Sequence, residues 1–309
     1  MKRTTAQFRV KGKMGLTETN LKREPTSEAK KRLERKSQIR WLLLMSLPLL
    51  FLLSFYVYPI SRMLMISFFD PEFTTEHYVH FFKAPAYFRI LVETFKMSLS
   101  VTIICLILGY PVAYLLSQGP PRVTNILMVA VVLPFFTAIL VRTYAWMVIL
   151  GRNGLLNQFL MQIGLIDTPL RLMHNKIGVH VGMVHILLPF MILPLYSVMT
   201  GIDKDLKKAA ENLGANPVQV FINIFLPLSL PGVGGGCLLV FIIALGFYIT
   251  PALLGGISDV MISMFIEIQV NQVLNWGFAA ALAVILLTIT LIIFSIYNRF
   301  FGAARIIGS

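Results

Sequence analysis

Few side chains in this 309-residue sequence have the types and spacing that catalysis, metal binding or ATP binding requires. ATP chemistry needs a phosphate-binding loop with the pattern G-x-x-x-x-G-K-[ST], and this pattern does not occur. Gly12-Lys13 is followed by Met14, and no matching glycine precedes it. We therefore predict that the chain is not an enzyme, has no catalytic residues and binds no cofactor, so that any ATP is hydrolysed by a partner.

The histidines and cysteines do not have the spacing of a metal site. Cys105 and Cys237 lie inside apolar stretches, where thiols usually serve in packing. His180 and His185 are five residues apart and would face different ways on one helix. We predict neither a disulfide nor a metal site.

Charged side chains in or near apolar stretches are the remaining candidates, because a charge in an apolar medium is costly. Glu93 and Lys96, three residues apart, favour pairing with each other or snorkelling. Arg142 either snorkels or holds an outer gate, and both interpretations stay open. We take the neighbouring Tyr144 and Trp146 with Arg142 as candidates for a substrate pathway.

Glu267, close to Gln269 and Asn271, is the best acidic candidate for contact with a cationic substrate. The alternative is an exposed loop acid with no such role. Tyr248 joins the candidate pathway because it and Pro251 interrupt an apolar stretch, and a broken helix exposes backbone dipoles.

The composition indicates that a membrane must position these residues. Hydrophobic residues make up 57% of the chain and charged residues 13%, about half the charged fraction of a soluble domain. Several apolar stretches reach the length of about 20 residues that crosses a bilayer. We predict an all-α membrane protein with six spans, the second of them broken by Pro111. The spans cover about 41–66, 91–117, 125–150, 177–199, 227–254 and 276–298.

The placement of the net charge of +13 predicts orientation rather than nucleic-acid binding. Residues 1–40 are strongly basic and directly precede the first apolar stretch, which is typical of a cytoplasmic tail. No basic-aromatic module accompanies the charge, so we predict no nucleic-acid partner. Six spans would return the last segment, 301–309, to the cytoplasm and make 41–300 the membrane domain.

Two shorter patterns predict local structure. Apolar residues between Leu155 and Ile163 recur at helical spacing, which is typical of a helix lying at the membrane surface. The glycines at 234–236 allow another helix to approach closely, so we interpret them as packing residues.

The segment at 200–227, between two predicted spans, has the pattern of two short helices. An apolar stripe of the first helix is formed by Leu206, Ala209, Ala210 and Leu213. Lys207, Lys208 and Glu211 face away from the stripe. Gly214 follows at the position where a helix end favours a left-handed residue.

Asn216-Pro217 then predicts an N-cap and a first-turn proline for a second helix. Phe221 lies on the apolar side of this helix, and we expect Pro227 to end it where the next span begins. Two capped helices around one glycine would make a rigid knob that docks into a groove of a partner. The alternative is an ordinary interfacial loop.

This segment resembles the signature loop of ABC-importer permeases, the EAA motif. That motif is Glu-Ala-Ala, three residues, Gly, and about nine residues later Ile-x-Leu-Pro. The matching residues are Ala209, Ala210, Gly214, Ile224, Leu226 and Pro227. Lys208 stands where the family has Glu, which changes the polar contacts expected with an ATPase but not the helix–turn–helix.

The resemblance extends over about 41–300. The segments GYPVAYLLS, LVRTYAW, GLLNQFL, GLIDTPLRLM and ILLPFMILPLYS look like the first of the two permeases in spermidine/putrescine-type importers. This resemblance implies the type I ABC-importer permease fold in the bacterial inner membrane, with both termini cytoplasmic. It also implies a second permease, two cytoplasmic ATPases that hydrolyse ATP with Mg²⁺, a periplasmic substrate-binding protein and a small polar or cationic substrate.

Two other classes of function compete with this one. A stand-alone secondary transporter would be expected to bury acids at mid-membrane, where these spans have almost none. A non-transport membrane scaffold would gain nothing from kinked, glycine-containing spans. Neither class explains the capped helices of 200–227.

Overall fold

The computed structural model describes Trp41, residues 44–69 and residues 72–299. The predicted tails, 1–40 and 301–309, lie outside these residues, so their boundaries and cytoplasmic position stay predictions.

The described residues form helices joined by turns and loops, with one isolated bridge between Phe69 and Phe73. The chain divides into two compact units, one up to Ile60 and one from Ser61 onward. In chain order the helices are α1 (Leu44–Ile66), α2 (Glu76–Lys83), α3 (Pro85–Gln118), α4 (Pro121–Val132), α5 (Ile139–Leu150), α6 (Leu155–Gln162), α7 (Lys176–Thr200), α8 (Lys204–Asn212), α9 (Pro217–Leu245), α10 (Ile249–Leu254), α11 (Ile262–Ile268) and α12 (Trp276–Tyr297).

Five of these helices, α1, α3, α7, α9 and α12, are long and apolar enough to cross a membrane. A sixth span is formed if Pro121–Phe136 and Ile139–Gln162 are counted together, although they are bent by 103°. The predicted all-α membrane fold is confirmed, and its third span is broken. The break follows a 3₁₀ turn that contains Pro134, and Thr137 Oγ donates to the Pro134 carbonyl at 2.9 Å.

Prolines interrupt the spans less than we predicted. Pro111 lies inside α3, which runs without a break, so the predicted break there is wrong. In contrast, the interruption predicted around Tyr248 is confirmed, because α9 ends at Leu245 and α10 begins at Ile249. The segment between the first two long helices contains the amphipathic helix α2.

The largest core of the second unit lies where α3, α7 and α9 pack together. Glycines permit this packing. A Cβ on Gly236 of α9 would lie 2.8 Å from Met191 Sδ of α7, and one on Gly232 would lie 3.0 Å from Val198 Cβ. One on Gly234 would lie 3.0 Å from the Tyr297 hydroxyl of α12. The predicted close approach is therefore confirmed at Gly234 and Gly236.

A smaller apolar cluster joins α2 and α3 to the last two helices. Its buried members are Phe81, Leu91, Ile262, Phe278 and Leu282. The predicted helix after residue 154 is confirmed as α6.

Candidate functional site

The first helix of 200–227 is capped at its start and bears one exposed ion pair. Asp203 accepts a hydrogen bond from the Asp205 backbone N–H at 2.9 Å, the usual N-cap contact. Lys208 Nζ lies 2.9 Å from Asp205 Oδ1, with both side chains more than two-thirds exposed. An exposed pair of this kind contributes about 0–1 kcal/mol, so Lys208 has little structural role.

Gly214 makes the turn between the two helices. Its φ is +87°, and its N–H donates to the Glu211 carbonyl at 3.0 Å while Ala215 N–H donates to Ala210 at 3.0 Å. These are the two hydrogen bonds of a Schellman helix end. The left-handed residue predicted from the sequence is confirmed.

The second helix begins as predicted but continues further. Asn216 and Gln219 form a reciprocal capping box, with Oδ1 and Oε1 each accepting a backbone N–H within 2.9 Å, and Pro217 occupies the first turn. The helix then passes through a π turn and continues to Leu245. The prediction that Pro227 ends this helix is wrong. Helix α9 is at once the second short helix and the next span.

The apolar stripe of α8 is not covered by the described part of the chain. Leu213 is 89% exposed and Leu206 is 46% exposed. Farther along, Phe225 is buried, and Phe221 packs edge-on against Tyr114 with ring centroids 5.7 Å apart. The segment is thus fixed to the bundle through α9 and exposes apolar side chains at its tip.

One group of predicted pathway residues lies just after the break in the third span. Arg142 and Trp146 are half-buried on α5, and the Trp146 ring meets the His185 ring of α7 at 5.5 Å. Arg142 Nε and His185 Nδ1 are both buried, and neither has a hydrogen-bond partner among the described residues. Tyr144 faces away from this group and is 53% exposed.

The sequence interpretation missed His185 because its partners lie on another helix. The predicted third span at 125–150 is continuous, whereas Arg142 lies in the first turn of α5, beyond the bend.

The second group joins Tyr248 to Glu267. Burial raises the pKa of the Tyr248 hydroxyl, and the nearby Glu267 carboxylate raises it further by its charge and by accepting a hydrogen bond. Glu267 also accepts a hydrogen bond from Asn271 Nδ2 at 3.2 Å. Glu267 is not the loop acid considered as an alternative, because it is half-buried in α11.

The predicted pairing of Glu93 with Lys96 is confirmed at 3.1 Å. Lys176 of α7 also lies 2.7 Å from the Glu93 carboxylate, which the sequence spacing could not indicate. Among the described residues, no group of three or more histidines, cysteines or acids is arranged to hold a metal ion.

The helical spans, their central three-helix core and the capped segment at 200–227 define a class of protein, the multi-pass membrane permease. Residues 29–304 match the model of one family, the binding-protein-dependent transport system inner membrane component, and the chain belongs to this family. It is therefore a permease component of an ABC importer in the bacterial inner membrane, not an enzyme.

Two similar relatives are named as spermidine/putrescine transport system permease protein PotB. The Escherichia coli K12 protein is 39% identical over 75% of this chain and 84% of its own length. The Haemophilus influenzae protein is 37% identical over 80% of this chain and 81% of its own length.

The fold is also that of a solved transporter. A chain of a bacterial ABC transporter involved in import of the acidic polysaccharide alginate matches with a TM-score of 0.68 and 20% identity. The match covers 88% of this chain and 99% of the alginate-transporter chain. At this identity the likeness concerns the fold alone.

Proposed function

We propose that this chain is the first of two homologous permease subunits of an ATP-driven importer, and that 200–227 couples it to a partner ATPase. The complex would contain a second permease, two cytoplasmic ATPases that bind ATP and Mg²⁺, and a periplasmic substrate-binding protein. In this proposal, the six-span domain at 41–300 lies between two cytoplasmic tails.

One observation supports the coupling role. The tip of 200–227 is uncovered, and it is connected to the core by a helix without a break. Leu206 and Leu213 offer apolar surface to a groove. Helix α9 continues from that tip into the packed centre of the bundle. An ordinary interfacial loop would need neither feature.

Each residue of the segment has a role in this proposal. Gly214, Asn216 and Pro217 set the angle between the helices, Phe221 and Pro227 lie on the part that joins the span, and the contact surface contains Lys208, Ala209, Ala210 and Glu211. Because Lys208 replaces the usual Glu, the partner should present an acid or a polar group to this position.

We propose a small cation of the polyamine class as substrate. The names of the relatives support this class. Half-buried Glu267, which accepts a hydrogen bond from the Tyr248 hydroxyl, supplies a carboxylate that attracts an ammonium group. Arg142 and Trp146 would line another part of the pathway, where the positive charge of Arg142 would shorten the stay of a cation. Tyr144, which faces away from them and is exposed, would lie outside that part.

The test is Gly214→Val in the reconstituted importer. Valine is strained at φ +87°, at a cost of about 1–2 kcal/mol, which distorts the angle between α8 and α9. We expect the variant to insert into the membrane and to lose at least tenfold in ATP-dependent uptake.

Gly164→Val is the matched control. Gly164 also has a positive φ, +71°, and a Cβ added to either glycine would meet open space. The Gly164 variant should keep uptake near the wild-type rate, because Gly164 lies in the loop after α6. Wild-type uptake by Gly214→Val would remove the coupling role from 200–227.

A further inference from the structure

A cationic cavity lies at the opposite end of α7 from the coupling segment. Its backbone is residues 169–174, directly before α7, whereas α8 follows the other end of α7. The 25 residues of α7 span about 37 Å, enough to cross a bilayer. The cavity has a volume of about 570 Å³, and its polar side chains are those of Arg152, Arg171 and His174.

A buried amide holds the two sides of this cavity together. Asn157 is fully buried and its Nδ2 donates to the Gly151 carbonyl at 3.1 Å and to the Leu170 carbonyl at 3.0 Å. Its Oδ1 accepts the Leu170 N–H at 2.9 Å. The turn that carries Arg152 and the loop that carries Arg171 are therefore fixed to the same side chain.

The loop is also fixed from the other side. A Cβ on Gly256 would lie 2.5 Å from the His174 carbonyl, and one on Gly178 would lie 2.7 Å from the Leu172 carbonyl. His174 itself has a φ of +55°, which costs a non-glycine residue about 1–3 kcal/mol. A strained and closely seated loop of this kind presents its side chains in one arrangement.

The positive charge at the cavity is not neutralised by the described part of this chain. Within the described ranges, neither Arg152 nor Arg171 forms an ion pair. Asp259 is close by but buried, and its carboxylate accepts from Gly256 N–H at 2.9 Å and from Ser258 Oγ at 3.2 Å. A second cavity along residues 255–258 shares Arg171 and His174 with the first and adds no acidic side chain to its lining.

We propose that this cavity receives an acidic side chain of the periplasmic substrate-binding protein. The inference rests on the proposed function, which puts the cavity on the periplasmic side. Guanidinium groups bind carboxylates with two parallel hydrogen bonds, and two arginines across one cavity suit a Glu or Asp on a docking loop. The same charge repels a cationic substrate, so the cavity is a docking site and not part of the substrate pathway.

The experiment uses the complete importer in phosphatidylcholine nanodiscs with its own substrate-loaded binding protein. The measurement is the concentration of binding protein that half-saturates the stimulation of ATP hydrolysis. In the double variant Arg152→Glu and Arg171→Glu, we expect this concentration to rise at least tenfold. Arg152→Lys with Arg171→Lys keeps the charge but loses the paired hydrogen bonds, so its half-saturating concentration should lie between those of the wild type and the double Glu variant. Arg89→Glu is the matched control and should leave the value unchanged, because Arg89 is exposed near the start of α3 and does not line the cavity.

The outcomes separate the proposals. The double Glu variant must first copurify with all subunits. If its ATP hydrolysis is then stimulated as in the wild type, at an unchanged half-saturating concentration, the docking site is overturned and the proposed function is not. A defect that appears only when phosphatidylglycerol is added assigns the cavity to lipid headgroups and also overturns it. Failure of the wild-type complex to respond to the binding protein overturns the proposed function and this inference together.

Discussion

Single residues in this protein fix loop geometry more than they perform chemistry. Asn157 is the clearest case, because one buried amide satisfies three backbone groups from two separate turns. An alanine at this position would leave the Leu170 N–H and two carbonyls without their buried side-chain partner.

We therefore predict that Asn157→Ala destabilises the protein by on the order of 2–3 kcal/mol. The measurement is the thermal unfolding midpoint of the purified protein in detergent, which should fall by several degrees. Gln158→Ala is the control, since Gln158 makes one exposed hydrogen bond to the Asn153 carbonyl at 2.9 Å. Equal midpoints for the two variants would contradict the structural role of Asn157.

Residues whose role depends on local backbone were predictable, and those whose partners are distant were not. Gly214, Asn216 and Pro217 were found from the sequence because helix ends require particular residue types within a few positions. Asn157 and His185 were missed because their partners belong to other segments, and an isolated Asn or His has no periodic pattern.

Among the secondary structure elements, α9 departs most from the sequence expectation. A π turn at Phe221–Phe225 ends two residues before Pro227, and its hydrogen bonds reach five residues back instead of four. A proline ends a regular α-helix because it lacks an N–H and its ring clashes with the carbonyl four residues earlier. The π turn changes the backbone at that position, so Pro227 does not end α9. Periodicity and proline position alone do not indicate such a turn.

Interrupting α9 near its exposed start should separate ATP hydrolysis from uptake. Ile222 is 51% exposed, so Ile222→Pro breaks the helix at a cost of about 3 kcal/mol without removing a core side chain. We expect ATP hydrolysis to continue while uptake falls at least tenfold. Ile222→Ala, which keeps the helix, should transport normally, and normal transport by the proline variant would show that continuity of α9 is unnecessary.

For the whole molecule, the predicted helical membrane fold is confirmed, whereas the orientation predicted from the basic tail stays a prediction. Hydropathy depends on each segment alone, so the spans could be located to within a few residues at most ends. The 103° bend in the third span follows a short 3₁₀ turn at Leu133–Phe136, which hydropathy does not indicate, and the two termini lie outside the described residues.

Orientation can be tested with single cysteines. In a background with Cys105→Ala and Cys237→Ala, we propose Leu213→Cys and Ile257→Cys, whose native side chains are 89% and 99% exposed. A membrane-impermeant maleimide should label the cysteine at 257 in intact spheroplasts and the one at 213 only after permeabilisation. The cysteine-free background controls for nonspecific labelling. Labelling of both from one side would overturn the proposed topology.

The glycines of α9 have a mechanical consequence for a helix that extends from the coupling tip to the far side of the bundle. Gly232 and Gly236 bring α9 so close to α7 that the crossing can act as the fulcrum of a lever. At 1.5 Å per residue, the arm from Pro217 to Gly234 is about 26 Å long and the arm from Gly234 to Leu245 about 17 Å. A rigid tilt would thus move the Tyr248 end in the opposite direction to the tip, through roughly two-thirds of the distance.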